Sequence, residues 1–217
     1  MLQELVRLLL PATVETVVMV VVSTLFAGVL GTPIGIALVV WASDGIAPRP
    51  RTSRVVATVV DIGRSVPFVI AMVALMPLTR AVVGTSIGTA AAIVPLVVAA
   101  IPFVARIVES ALREVPRGTV EAVVGMGATP AQVVRVVYLA EAKAALVRGA
   151  TLVAVSLVSW SAMAGAVGGG GLGDLAVRYG YQRFRTDVMV STVVVLVVFV
   201  HLVQWAGARA ARVFART

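Results

Sequence analysis

Between Glu121 and Leu139 the chain reads EAVVGMGATPAQVVRVVYL, a stretch that carries its own helix punctuation. Glu121 to Met126 predicts a short helix, and Gly127 supplies the left-handed stop that a residue bearing a Cβ adopts only at a cost. Thr129-Pro130-Ala131-Gln132 restarts the chain at once. Thr129 can serve as the N-cap, Pro130 fits the first helical position, and Gln132 at the third can complete a capping box. Apolar runs flank the stretch on both sides. Two short helices at an angle, held between membrane spans, make a rigid protrusion for something outside the chain to grip.

Composition sets the class. Hydrophobic residues make up 60% of the 217 residues and charged residues 13%, with a mean hydropathy of +1.05. A soluble domain is about half apolar and a quarter charged, so the chain is expected to be an all-α, polytopic integral membrane protein. It has no cysteine and one histidine, which excludes disulfides and argues against a zinc site. The net charge of +8 does not point to nucleic acid. The basic residues sit at the ends of apolar runs, where topology is decided, rather than in a soluble patch.

Five apolar stretches are long enough to span, at about 14–40, 55–78, 87–104, 149–165 and 188–207, within a single domain of residues 1–217. The first exceeds the bilayer core, so it is expected to tilt or project, and it is too long for a signal peptide. Its Gly31 and Gly35 match the small-residue spacing that lets membrane helices approach closely. The second is interrupted by Asp61, Arg64, Ser65 and Pro67, with Asp61 and Arg64 spaced to pair on one helix face. The same charges fit either a headgroup position or a pathway role. The third is expected to be broken by Pro95 and Pro102. Between the fourth and fifth lies GGGGLGDLAVRYGYQRFRTD, read as a flexible loop. Of the 18 Lys and Arg residues, Arg7, Arg80, Arg178, Arg183 and Arg185 fall on one side. All the others, Arg216 among them, fall on the other, which predicts a cytoplasmic insertion and C-terminus and an external N-terminus.

Several patterns are weaker than they look. Gly84-Thr85-Ser86-Ile87-Gly88 matches a nucleophile elbow, with Asp174, Asp187 and His201 following in hydrolase order. That elbow needs a strand, a turn and a helix in an α/β sheet, and here it lies in a short turn between spans. No catalytic residue is assigned. Gly168, Gly170 and Gly173 fit G-x-G-x-x-G without a preceding strand. No Gly-Lys-Ser/Thr phosphate loop occurs, so the chain cannot hydrolyse ATP by that route. His201 and Gln204 read as hydrogen-bonding residues between helices or at the interface. No charge cluster on the last three spans offers the ion relay of a secondary transporter.

The insertion resembles the membrane permease subunits of bacterial ABC importers. Their signature is a cytoplasmic loop with Glu-Ala-Ala, a Gly about six residues later and a Leu-Pro near its end. Here it reads Glu121-Ala122-Val123, Gly127 and Leu139-Ala140. Val123 replaces the third Ala, and Ala140 replaces the Pro. Several further motifs together resemble the methionine importer permease family over essentially the whole chain. They are Met126-Gly-Ala-Thr-Pro-Ala-Gln132, Arg64-Ser-Val-Pro-Phe68, Val83-Gly-Thr-Ser-Ile-Gly88, Ala92-Ile-Val-Pro95, Ser161-Ala-Met-Ala-Gly-Ala-Val-Gly168 and Gly170-Gly-Leu-Gly173.

The resemblance implies a transport subunit of the bacterial cytoplasmic (inner) membrane rather than an enzyme, with methionine or another small solute as cargo. It implies a homodimer, two separate ATP-binding subunits, an external substrate-binding protein, and no cofactor in this chain, ATP and Mg being on the ATPase. The coupling segment would be about 113–143, with Glu121, Ala122, Gly125, Met126, Gly127, Ala128, Thr129 and Pro130 at the docking surface. Ser65, Pro67, Phe68, Met72, Trp160, Ser161 and Met163 are the pathway candidates. An ion-coupled carrier would instead need no ATPase and would stop with an uncoupler.

Overall fold

The computed structural model describes residues 2–214. Arg216 and the extreme ends of the expected 1–217 domain lie outside them. The described residues form helices and connecting turns, with no strand among them.

Helix α1 (Leu2–Val40) runs 39 residues, about 58 Å at ~1.5 Å per residue against a bilayer core of ~30 Å. It begins before the apolar run because its start has a tertiary partner. Leu8, Leu9 and Ala12 pack with Leu172, Leu175 and Val188, and Glu4 pairs with Arg185 at 2.5 Å.

The second apolar stretch is three helices: α2 (Pro50–Ser65), α3 (Phe68–Ala74) and α4 (Met76–Val83). A 99° bend separates α2 from α3. Pro67 forces it, because a residue preceding proline is pushed out of the helical region. Val66 is extended accordingly (φ −81°, ψ 123°). Among the described residues, four helices are long and apolar enough to cross a membrane, and the bent pair makes a fifth if counted as one span.

Helix α5 (Thr89–Arg113) is the centre of the molecule, in contact with α1, α2, α3, α4 and α9. It corrects one expectation: the helix is continuous through Pro95 and Pro102. Pro95 is buried against neighbouring helices, and such neighbours stabilise a helix whose ladder a proline has interrupted. Gly31 and Gly35 of α1 lie against α5. A Cβ on Gly31 would sit 2.8 Å from the Ile101 carbonyl oxygen, and one on Gly35 2.6 Å from that of Ala105. Glycine is required there by contact between two backbones.

The insertion between α5 and α9 (Lys143–Ala164) holds α6 (Arg117–Gly125), α7 (Pro130–Val133), a π-helical turn (Val134–Tyr138) and α8 (Leu139–Glu141). After α9 comes the glycine-rich stretch, and it is not a flexible loop. A π-helical turn (Gly165–Gly169), α10 (Gly171–Leu175) and a second π-helical segment (Ala176–Tyr181) pack it into the body. The Gly171 N–H donates to Glu15 Oε2 at 2.6 Å, the Leu172 N–H to Thr16 Oγ1 at 2.9 Å, and the Gly88 N–H to the Gly168 carbonyl at 2.9 Å. Glu15 therefore satisfies an otherwise orphan N–H at the start of α10. Helix α11 (Thr186–Phe214) closes the fold against α9.

Replacing Gly35 with valine is expected to separate α1 from α5. Overpacking of this kind costs about 1–3 kcal/mol. A lower unfolding temperature of the detergent-purified protein, relative to a Gly28→Val control, checks this, because a Cβ on Gly28 meets nothing within 4 Å.

Candidate functional site

The helix pair that the sequence punctuates is present in the structure. Helix α6 ends at Gly125, and Gly127 adopts φ 86°. Its N–H donates to the Val124 carbonyl at 2.9 Å, turning the chain. Thr129 then caps α7. The Gln132 N–H donates to Thr129 Oγ1 at 3.4 Å, and the Thr129 N–H to Gln132 Oε1 at 2.8 Å, which is the reciprocal capping box. With Ala140 in place of a proline, the helical path continues through α8 and breaks at Ala142 (φ −81°, ψ 1°) before α9 begins.

One face of this pair belongs to the core. Val120, Val133, Val137 and Tyr138 are buried in the same apolar cluster as Val108 and Leu112 of α5. The other face is bare: Glu121, Ala122, Gly125, Met126, Gly127, Thr129 and Pro130 are exposed, and Ala128 is half-buried. Met126 is 78% exposed at the tip. Behind α6 a cavity of about 680 Å³ is lined by Asp44, Arg113, Arg117, Glu121 and Tyr138, among others. Burial pushes the Tyr138 phenol up, and the Asp44 charge adds to the shift.

A ladder of ion pairs leads from this pair to the broken span. Arg117 on α6 pairs with Asp44, in the turn after α1. Asp44 also lies 3.9 Å from Arg113 of α5. Arg113 bonds Glu109 at 3.1 Å, Glu109 bonds Arg106 at 2.6 Å, and Arg106 reaches Asp61 of α2 at 2.7 Å. Arg106 also donates to the Ala57 carbonyl at 3.2 Å. Asp61 therefore pairs across helices with Arg106, not with Arg64 on its own face. The contact is bidentate: Arg106 donates from Nε to Asp61 Oδ1 at 3.1 Å and from Nη2 to Oδ2 at 2.7 Å, which adds geometric specificity to the pair.

The pathway candidates divide. Pro67, Phe68 and Trp160 line one cavity of about 340 Å³, with Ser65 exposed at the adjoining end of α2. Phe68 stacks on Trp160, ring centroids 5.4 Å apart and planes 6° from parallel. Met72 is buried in the same core cluster as Phe68. Ser161 is buried and donates to the Val158 carbonyl at 2.7 Å. Met163 stands elsewhere, in the groove between α9 and α11 with His201. His201 Nδ1 lies 2.9 Å from the Val197 carbonyl of its own helix.

The hydrolase pattern does not assemble. Ser86 accepts from Arg80 Nε at 3.2 Å, while Asp174 pairs with Arg178 and Asp187 with Arg185. Reasoning from sequence missed Glu15, Thr16, Asp44 and Glu109, and treated Arg106 and Arg113 only as topology charges. The Arg106, Glu109, Arg113 spacing, three and then four residues apart on one helix, was the available signal. For Glu15 the available signal was a lone carboxylate inside the first apolar run.

The sequence matches the family described as binding-protein-dependent transport system inner membrane component over residues 31–214. A probable D-methionine transport system permease protein, MetI, of Vibrio cholerae is 51% identical over 200 residues, covering 92% of this chain and 89% of the relative. The D-methionine transport system permease protein MetI of Escherichia coli K12 is 47% identical over 165 residues, 76% of each chain. Among solved structures, a chain of the MetNI methionine ABC transporter in an inward-facing conformation superposes with a TM-score of 0.96 at 47% identity, over 99% of both chains.

Arg106→Gln removes the rung that joins α5 to α2 and leaves Asp61 and Glu109 short of a partner. Hydrogen bonds to charged groups contribute about 1.5–3 kcal/mol. The expected outcome is faster amide exchange in the last turns of α2, read by hydrogen–deuterium exchange, with α11 unaffected.

Proposed function

Because the chain belongs to the family of binding-protein-dependent transport system inner membrane components, we propose that it is the permease of an ATP-driven methionine importer. One observation carries this reading: the helix pair is locked to the core on one face and presents an exposed tip, Met126, Gly127, Thr129 and Pro130, on the other. That is the shape of a lever. An ATPase subunit grips the tip, with ATP and Mg on that partner, and closure of the nucleotide-bound ATPases moves the pair as a rigid body. Such a docked element transmits work only if it does not bend. Val120, Val133 and Val137 prevent bending by continuing the spans' core into the insertion.

The likeness to MetI proteins and to the MetNI methionine transporter supports methionine, D- or L-, as the cargo. Two copies of this chain enclose one pathway in the cytoplasmic membrane, beneath an external binding protein that delivers the substrate. The insertion and the C-terminus face the cytoplasm, following the excess of Lys and Arg on that side, and the N-terminus faces out. Ser65, Pro67, Phe68 and Trp160, at the bend, lie on the substrate's route. The ion ladder from Arg117 to Asp61 ties the lever to that bend.

Glu121→Lys and Gly127→Pro test the lever in proteoliposomes containing the permease, its ATPase and the binding protein. Lysine reverses the charge beside the docking face, and proline cannot adopt the φ of 86° found at Gly127. Coupling energies between sites correspond to about 5–150-fold. Uptake of radiolabelled methionine is expected to fall within that range. Normal copurification together with normal uptake by both variants would overturn the docking assignment.

A further inference from the structure

The pairing of Asp61 with Arg106 leaves Arg64 with neither an acidic nor a hydrogen-bonding partner among the described residues. It lies in the last turn of α2, exposed, at the 99° bend in the second span. A guanidinium beside a cavity, with its donors uncommitted, is a ready partner for a carboxylate. The cavity it lines is about 340 Å³, within the range of about 300–1,000 Å³ typical of small-molecule sites.

The rest of the lining has complementary chemistry. Pro67, Phe68, Phe103 and Trp160 provide the apolar walls. Phe103 is tilted 49° against the Trp160 ring at 5.8 Å, and Phe68 is stacked on it, so three rings form a fixed aromatic corner. Aromatic edges are favourable partners for a thioether sulfur. Helix α2 ends at this cavity, and the carbonyls of a helix's last turn have no following N–H to accept from within the helix. They present the negative end of the helix dipole, which favours an ammonium group.

We propose that this cavity is an α-amino-acid subsite of the permease. Arg64 takes the carboxylate, the C-terminal carbonyls of α2 face the ammonium, and the Phe68, Phe103 and Trp160 corner holds an unbranched apolar or thioether side chain. The subsite rests on the import reading above. Its position at the Pro67 bend matters, because movement of α3 relative to α2 separates Phe68 from Arg64. The two halves of the substrate are then held only while the bend keeps its present angle, so a change of bend releases the cargo.

A diazirine-bearing methionine analogue, photolysed on the permease–ATPase complex and mapped by peptide mass spectrometry, tests the assignment. Adducts are expected within residues 63–68 or 99–103 or at Trp160, with excess methionine suppressing them. Arg64→Gln should lower the adduct yield by about tenfold or more, the scale of one lost charge-assisted hydrogen bond. Arg64→Lys should retain part of the yield, and copurification with the ATPase verifies that each variant is folded. Protected adducts confined to other parts of this chain overturn the subsite, and so does an Arg64→Gln yield equal to the parent's. Parent proteoliposomes containing the permease, its ATPase and the binding protein that import no methionine overturn the import reading instead, while uptake with adducts elsewhere removes only the subsite.

Discussion

The contact of two helix backbones, α1 against α5, is the constraint on which the rest of the structure depends. At Gly31 and Gly35 no side chain stands between α1 and the carbonyls of Ile101 and Ala105. In lipid there is little hydrophobic gain in bringing helices together, so close packing and small residues must supply the association. Once α1 is seated, α5 is enclosed and its other faces organise α2, α3, α4 and α9 around it. The buried cluster continues along α5 from Ala92 to Leu112 and on to Val120, Val133 and Val137 of the insertion. The spans and the protruding helix pair therefore share one core.

That continuity gives the protrusion its mechanical character. A loop outside a bilayer is ordinarily mobile, but this one is bounded by a left-handed glycine, a reciprocal cap and buried valines. Polar chemistry runs beside the apolar core without interrupting it. The ions from Arg117 to Asp61 form a ladder on the flank of α5, with Glu109 nearly buried between two arginines. Each rung alone would be worth little near a surface. As a connected set it fixes the relative positions of α6, the turn after α1, α5 and α2.

The legible parts of this protein are those whose physics is local. Thr129 and Gln132 are three residues apart, and their capping box follows from the order Thr-Pro-Ala-Gln alone. Gly127 stops a helix because of its own φ, and Pro67 bends the second span because of the residue before it. The illegible parts are pairings across long separations. Arg106 lies 45 residues from Asp61, and Glu15 lies 156 from Gly171. No spacing rule reaches that far, so Asp61 was matched with the nearer Arg64, and a glycine-rich segment without obvious partners was read as a flexible loop. Pro95 and Pro102 erred the other way: locally they argue for a break, and surrounding helices hold α5 together through both.

By itself the sequence determined an all-α membrane protein, the glycine turn that follows α6 and the cap that starts α7. Apolar runs, charges at their ends, glycine and proline act within a turn or two of the chain, so they can be read in order along it. Tertiary structure alone decided that the protrusion shares the core of the spans, that the glycine-rich segment is built into the body, and that Arg64, at an aromatic corner, has no ionic or hydrogen-bonding partner among the described residues. The reason is physical: those outcomes depend on which side chains meet across helices, and that follows from how α1 and α5 pack.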